Sequence, residues 1–160
     1  MNLEIKKYPD PILLKKAEKI KDPMDEKIQR LIFDMTETLH SNNNGIGLAA
    51  PQVGIGLRLC IIELEGTRYV LINPKITAKS KNKETCEEGC LSFPGEFYPV
   101  ARFHEVQVRY DDESGKSKKI KARGLLARAF QHEIDHLDGI VFINRIKKSS
   151  KKCPIKKETK

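Results

Sequence analysis

The sequence predicts an α+β fold in which antiparallel strands accompany two long helices, the second of which carries a metal-ligand pattern. Three observations predict it. Apolar residues recur at helical spacing between Ile28 and Leu39, and β-rich runs separated by turn residues fill the middle of the chain. Residues 124–137 then return to a helical pattern that holds His132-Glu133-Ile134-Asp135-His136.

Near the start, YPDPILLKKAEKI places two prolines, which enforce extended or turn geometry, ahead of a short amphipathic stretch; it reads as an anchoring arm. Asp22-Pro23 reads as a helix start, with the carboxylate as N-cap and proline at the first helical position. Ile28, Leu31, Ile32, Met35 and Leu39 give that helix one apolar face, and Ser41-Asn42-Asn43-Asn44-Gly45 stops it with residues that favour turns. Residues 58–64 and 68–72 are strand-like runs joined by Glu65-Gly66-Thr67. Residues 105–110 alternate, with Val106, Val108 and Tyr110 on one face, and a turn at 111–115 leads into another strand near 118–122. The second helix, 124–137, has Gly139 well placed as its stop.

With 160 residues, 39% hydrophobic and 32% charged, the chain suits one compact domain rather than a disordered or membrane chain. No stretch approaches the ~20 apolar residues of a spanning helix, and no secretory leader is evident, so the expectation is a soluble, cytoplasmic-type chain with reduced cysteines. Residues 1–146 are expected to form the single domain. The remaining 147–160 read as a flexible tail in which seven lysines face Glu158 alone, and they supply six of the eight net positive charges. Such a tail suits contact with a nucleic acid or another acidic surface.

On a helix, His132 and His136 project from one face, where both imidazoles reach one metal ion, and Glu133 sits beside them. A metal lowers the pKa of a water it binds towards ~7, and a neighbouring carboxylate moves the proton, so the pattern points to hydrolysis. A catalytic site commonly needs a third protein ligand. Asp138 follows His136 too closely, and upstream Cys90, in Glu88-Gly89-Cys90-Leu91-Ser92, is preferred over Cys86. A thiolate suits iron(II) or zinc. Cys60, between apolar neighbours, reads as core, and Cys153 as an exposed tail residue. Gly45-Ile46-Gly47-Leu48-Ala49-Ala50-Pro51-Gln52 combines small residues, which let backbone approach a ligand, with one amide able to donate to a developing oxyanion, Gln52.

GIGLAAPQ at 45–52, EGCLS at 88–92 and QHEIDHLDG at 131–139 resemble the three signature motifs of peptide deformylases, in the family's order. The similarity also takes in YPDPILLKKAEKI, LINP at 71–74 and PVARFHEVQV, so it spans about residues 5–145. The resemblance implies antiparallel sheets around the helix that carries the histidines, and removal of the N-terminal formyl group of formylmethionine from nascent polypeptides, with formate released. It implies Cys90, His132 and His136 as ligands of one divalent ion, iron(II) in the cell with zinc, nickel or cobalt as replacements. Glu133 would be the general acid and base, and the Gln52 amide and Leu91 N–H the oxyanion donors. Backbone at Gly47 would pair with the substrate, and Ile46, Cys86, Leu125, Arg128, Ala129 and His132 would form the pocket for its first side chain. Arg128 departs from the apolar residue expected there, and would either lay its aliphatic stem along the pocket or narrow it. Arg102 and Asp135 match positions of a salt bridge that steadies the metal helix. The long C-terminal helix of many bacterial members is not matched after Ile146, and the lysine tail is expected to contact ribosomal RNA in its place. Host type, whether bacterium, organelle or virus, and oligomeric state stay open. Two alternatives are a zinc endopeptidase using the same chemistry, against which the cysteine ligand argues, and a structural metal or nucleic-acid-binding module, which would normally close its site with a fourth ligand. His40 and His104 fall in no motif and are expected to be structural or exposed.

Overall fold

The computed structural model describes residues 1–43 and 45–146, so the lysine-rich tail lies outside the described residues. Its first helix, α1 (Glu26–His40), is capped by Asp25, whose carboxylate accepts from the Lys27 N–H at 2.8 Å. Asp22 instead accepts from the Met24 N–H at 2.9 Å and closes a turn around Pro23. An Asp-Pro pair starts a turn as readily as a helix, and here the turn precedes the cap.

Seven strands follow: β1 (Gly47–Ala49), β2 (Leu59–Leu64), β3 (Thr67–Lys79), β4 (Lys83–Cys90), β5 (Phe93–Phe103), β6 (Glu105–Asp111) and β7 (Ser117–Arg123). The second helix, α2, runs from Gly124 to Leu137, as its periodicity predicts. Five strands form an antiparallel sheet in the order β1-β2-β3-β6-β7, while β4 and β5 pair with each other as a separate hairpin. The β2–β3 turn falls at Glu65-Gly66, both at positive φ. β3 continues beyond Ile72, where Asn73-Pro74 suggests a break. Asn73 turns to positive φ there, hydrogen-bonds both backbone groups of Ile20 through its side chain at 2.9 and 2.8 Å, and the strand resumes after a register shift. The proline sits in that bulge, where its missing N–H disrupts no ladder.

The two helices cover opposite faces of β2 and β3. Leu59, Ile61, Val70 and Ile72 pack with Ile28, Leu31, Ile32, Met35 and Leu39 of α1, whereas Cys60, Ile62 and Leu71 pack with Ala127, Phe130, Ile134 and Leu137 of α2. Burial on both faces is why this segment reads as an unbroken apolar run rather than an alternating one. Cys60 is fully buried, as its neighbours suggest.

α2 is fixed at both ends and from both sides. Gln131 donates to Phe103 O at 2.9 Å and accepts from Phe103 N at 3.0 Å, tying the helix to β5. At the C-terminus, buried Arg58 donates to Leu137 O at 3.0 Å and to Asp138 Oδ1 at 2.8 Å, a cation placed where the helix dipole favours one. Gly139 ends the helix at φ 73°, and a Cβ there would lie 2.8 Å from Leu14 O, so the stop needs glycine on both counts. The N-terminal arm straps these parts together: Lys6 N bonds Gln52 O at 2.7 Å, Tyr8 N bonds Ser92 O at 3.0 Å and Ala17 N bonds Leu137 O at 2.9 Å.

Candidate active site

The site forms where the end of β4 meets the buried face of α2. Along β4, Cys86 and Glu88 are buried while Glu87 and Gly89 are exposed, the alternation of a strand with one face inward. A register shift between Gly89 and Cys90, followed by a turn through Leu91 and Ser92 into Phe93, brings Cys90 to the tip of the hairpin. On α2, His132 and His136 lie one turn apart with ring centroids separated by 5.0 Å.

Sequence positions 90, 132 and 136 converge as the motifs suggest. One ligand atom from each of Cys90, His132 and His136 lies within 4.8 Å of the others, and among the described residues this is the group of three that so converges. The Cys90 Sγ to His136 Nε2 separation is 3.3 Å. Sulfur and nitrogen ligands of one tetrahedral zinc-like ion, at ~2.3 and ~2.0 Å, stand roughly 3.5 Å apart, so the donor set fits a first-row divalent ion.

Glu88, to which its motif alone assigns no role, anchors the centre. Its Oε1 lies 2.8 Å from His132 Nδ1 and accepts from Arg102 Nη2 at 3.0 Å; its Oε2 accepts from Arg102 Nε at 2.9 Å and Arg128 Nη1 at 2.6 Å. With Nδ1 engaged by Glu88, the Nε2 of His132 is the nitrogen left for a metal. Burial opposes the charge on Glu88, yet the hydrogen bonds from His132 and Arg102 and the charge of Arg102 hold its carboxyl well below the usual range. The signal that finds Glu88 is parity: it shares the inward face of β4 with Cys86 and leads on to Cys90.

Arg102 bridges to a second carboxylate. Its Nη1 donates to Asp135 Oδ2 at 2.5 Å, the expected salt bridge, and Arg145 reaches the same carboxylate at 3.0 and 3.1 Å. Arg128 is buried, and its guanidinium donates to Glu88, to Val100 O at 2.8 Å and to Glu84 O at 2.7 Å. Its charged end is therefore bound by β4 and β5 and not offered to a substrate. The other pocket candidates lie at three places: Ile46, exposed, just before β1; Cys86, buried, on β4; and Leu125 and Ala129, half-buried and buried, on the first turns of α2. Cys60 and Cys90 are free thiols, in line with the expectation of reduced cysteines for these two.

Glu133 is 5% exposed, and its Oε2 has no hydrogen-bond partner among the described residues. Burial, partly offset by the charge of His132, pushes its carboxyl up to about 7, where it can both take and give a proton near neutrality. Gly47 faces it closely: a Cβ there would stand 2.5 Å from Glu133 Oε1. Gln52, 1% exposed, accepts from Ala49 N at 2.9 Å through Oε1, which orients its Nε2 towards Ser92 Oγ at 3.2 Å and Cys90 Sγ at 3.5 Å. His40 and His104 stay apart from this centre, paired with Glu63 at 2.6 Å and Glu84 at 2.9 Å.

The family model for polypeptide deformylase matches residues 2–152. The chain belongs to that family. Among curated deformylases, that of Endomicrobium trichonymphae is 47% identical over 99% of this chain and 96% of its own length, and that of Thermodesulfovibrio yellowstonii is 50% identical over 98% and 92%. The chain is similar to the crystal structure of peptide deformylase from Thermotoga maritima, with a TM-score of 0.88 at 37% identity over 92% of this chain and 99% of that one. A deformylase from Synechococcus elongatus, crystallised with actinonin, gives a TM-score of 0.87 at 43% identity over 91% and 79%. The protein is thus a metal-dependent hydrolase that removes the formyl group from the N-terminus of nascent polypeptides. No helix among the described residues is long and apolar enough to cross a membrane.

Proposed function

We propose that Cys90, His132 and His136 hold one divalent ion, iron(II) in the cell with zinc, nickel or cobalt able to replace it, and that Glu133 is the general acid and base of deformylation. The observation that carries this reading is the convergence of one thiol and two imidazoles within 4.8 Å beside a buried carboxyl with an oxygen unpartnered among the described residues. The ion, when bound, polarises the formyl carbonyl and acidifies water.

Glu133 takes the proton of the attacking water at its unpartnered Oε2 and later delivers it to the departing amine. The negative charge that develops on the formyl oxygen is met by the Gln52 Nε2 donor, whose direction is fixed by the Ala49 bond to Oε1, and by the backbone N–H of Leu91 at the hairpin tip. Arg102 and Asp135 steady α2 against β4 and β5 through their salt bridge. β1 is an edge strand of the five-stranded sheet, and Gly47 on it lies beside Glu133. An extended peptide added to that edge is held by main-chain hydrogen bonds, which tolerate any downstream sequence. Ile46, Cys86, Leu125, Ala129 and His132 enclose the methionine side chain, with the stem of Arg128 beneath them.

The reaction takes place in the cytoplasm, where formylated chains emerge, and the seven lysines of 147–160 support salt-sensitive contact with ribosomal RNA. Removing residues 149–160 is expected to lower ribosome affinity at low salt; unchanged affinity would sink the tail assignment. For the reaction itself, anaerobically purified, iron-loaded protein is expected to release formate from formyl-Met-Ala-Ser and to leave an N-acetylated casein chain intact. Internal cleavage without formate would favour an endopeptidase.

A further inference from the structure

We propose that Arg128 is a positioning residue for the metal centre, which locks the Glu88 carboxylate and through it the orientation of the His132 ring. The proposal rests on His132 being a ligand, as assigned above. Arg128, His132 and His136 recur every four residues along α2 and so share one face, and Glu88 reaches across from β4 to touch the first two of them.

Arg102 alone does not fix that carboxylate. It donates to Glu88 through Nε and Nη2, but its Nη1 is drawn towards Asp135, which Arg145 also holds. Arg102 is thus shared between two carboxylates, and Arg128 supplies Glu88 with a second anchor from a different element. Its bond to Glu88 Oε2, at 2.6 Å, is the shortest of the four that the carboxylate accepts. The guanidinium is itself held by Val100 O on β5 and Glu84 O on β4, at 2.8 and 2.7 Å. Each Glu88 oxygen then accepts two hydrogen bonds, leaving the group no freedom to rotate away from His132 Nδ1. An imidazole whose second nitrogen is fixed in this way presents its Nε2 in one direction, and such outer contacts are worth about 10- to 100-fold in metal affinity.

The test is zinc affinity of the full chain by chelator competition at fixed pH, read with thermal stability and with kcat and KM for formyl-Met-Ala-Ser. Arg128→Leu is expected to weaken zinc binding about 10- to 100-fold and to lower kcat, with KM changed less than about twofold. Arg128→Lys, which keeps one donor for Glu88, is expected to recover part of the loss. In a Glu88→Gln background, Arg128→Leu is expected to cost less than about twofold more, because the effect runs through Glu88. If Arg128→Leu lowers Tm but leaves zinc affinity intact, or weakens zinc equally in both backgrounds, Arg128 only ties the hairpin to the helix and the proposal falls. Should Arg128→Leu fail to fold, Arg128→Lys decides alone: wild-type affinity overturns the proposal and an intermediate loss supports it. A wild-type protein that binds no zinc through Cys90 overturns the ligand assignment instead, an outcome distinct from either.

Discussion

Gly47→Ala separates catalysis from folding at this site. A Cβ built on Gly47 lies 2.5 Å from Glu133 Oε1, 2.8 Å from its Cδ and 2.9 Å from its Cγ, whereas ordinary contact begins at 3.4 Å. The carboxylate must therefore retreat by about 0.9 Å. Gly47 is not at positive φ, so alanine suits its backbone, and what yields is the Glu133 side chain from Cγ outwards rather than backbone. Stability is expected to stay within roughly 1 kcal/mol of wild type. Displacing a catalytic group by ~1 Å costs on the order of 10²-fold, equivalent to about 2.7 kcal/mol of barrier, and that loss is expected in kcat/KM for formate release from formyl-Met-Ala-Ser. Measured beside urea denaturation and metal content, a Gly47→Ala enzyme within threefold of wild-type activity would refute the placement of Glu133 against β1 as a condition of catalysis.

Gln52→Leu removes one oxyanion donor and is expected to lower kcat by ~10²- to 10³-fold with little change in KM in steady-state assays; a loss confined to KM would make Gln52 a binding residue. Metal content distinguishes Cys90 from Cys60: Cys90→Ala is expected to leave the protein with little bound iron or zinc by elemental analysis, while Cys60→Ala keeps a full complement and loses only packing. Glu88 links the fold to pH. Its folded carboxyl is held below the ordinary 4.5, so it binds fewer protons folded than unfolded, and its contribution is present above that range and is lost as pH falls through its depressed folded value. Glu88→Gln is expected to destabilise the protein by roughly 3 kcal/mol at pH 7, and the difference from wild type is expected to shrink as urea titrations are carried to acid pH.

The parts of this molecule that local pattern governs were legible in the sequence. The limits of α2, its glycine stop and the alternation of β6 follow from periodicity and turn chemistry, and the three motifs located Cys90, Gln52, Glu133 and both histidines. What escaped depends on contacts distant in sequence. β4 carries a polar run, Lys83-Glu84-Thr85-Cys86-Glu87-Glu88, which gives no apolar alternation because its inward face holds a carboxylate satisfied by arginines from β5 and α2. Glu88 is indistinguishable from Glu87 until pairing sets which of them faces inward. Arg58 reads as the polar start of a strand, yet it caps α2 across the sheet. Arg128 reads as an intruder in an apolar pocket because its partners, Glu84, Glu88 and Val100, meet it only once the hairpin folds against the helix.

The proposed centre is an open three-ligand site made of one sulfur and two imidazole nitrogens, with Glu133 beside it as proton carrier rather than ligand. X-ray absorption of the zinc-loaded wild type and of Glu133→Gln tests it most directly. The same coordination sphere is expected in both, one sulfur at ~2.3 Å and two imidazole nitrogens at ~2.0 Å with any further scatterer a light atom, and formate release is expected from the wild type alone. A shell without sulfur, a second sulfur, or a shell that changes when Glu133 is replaced would contradict it.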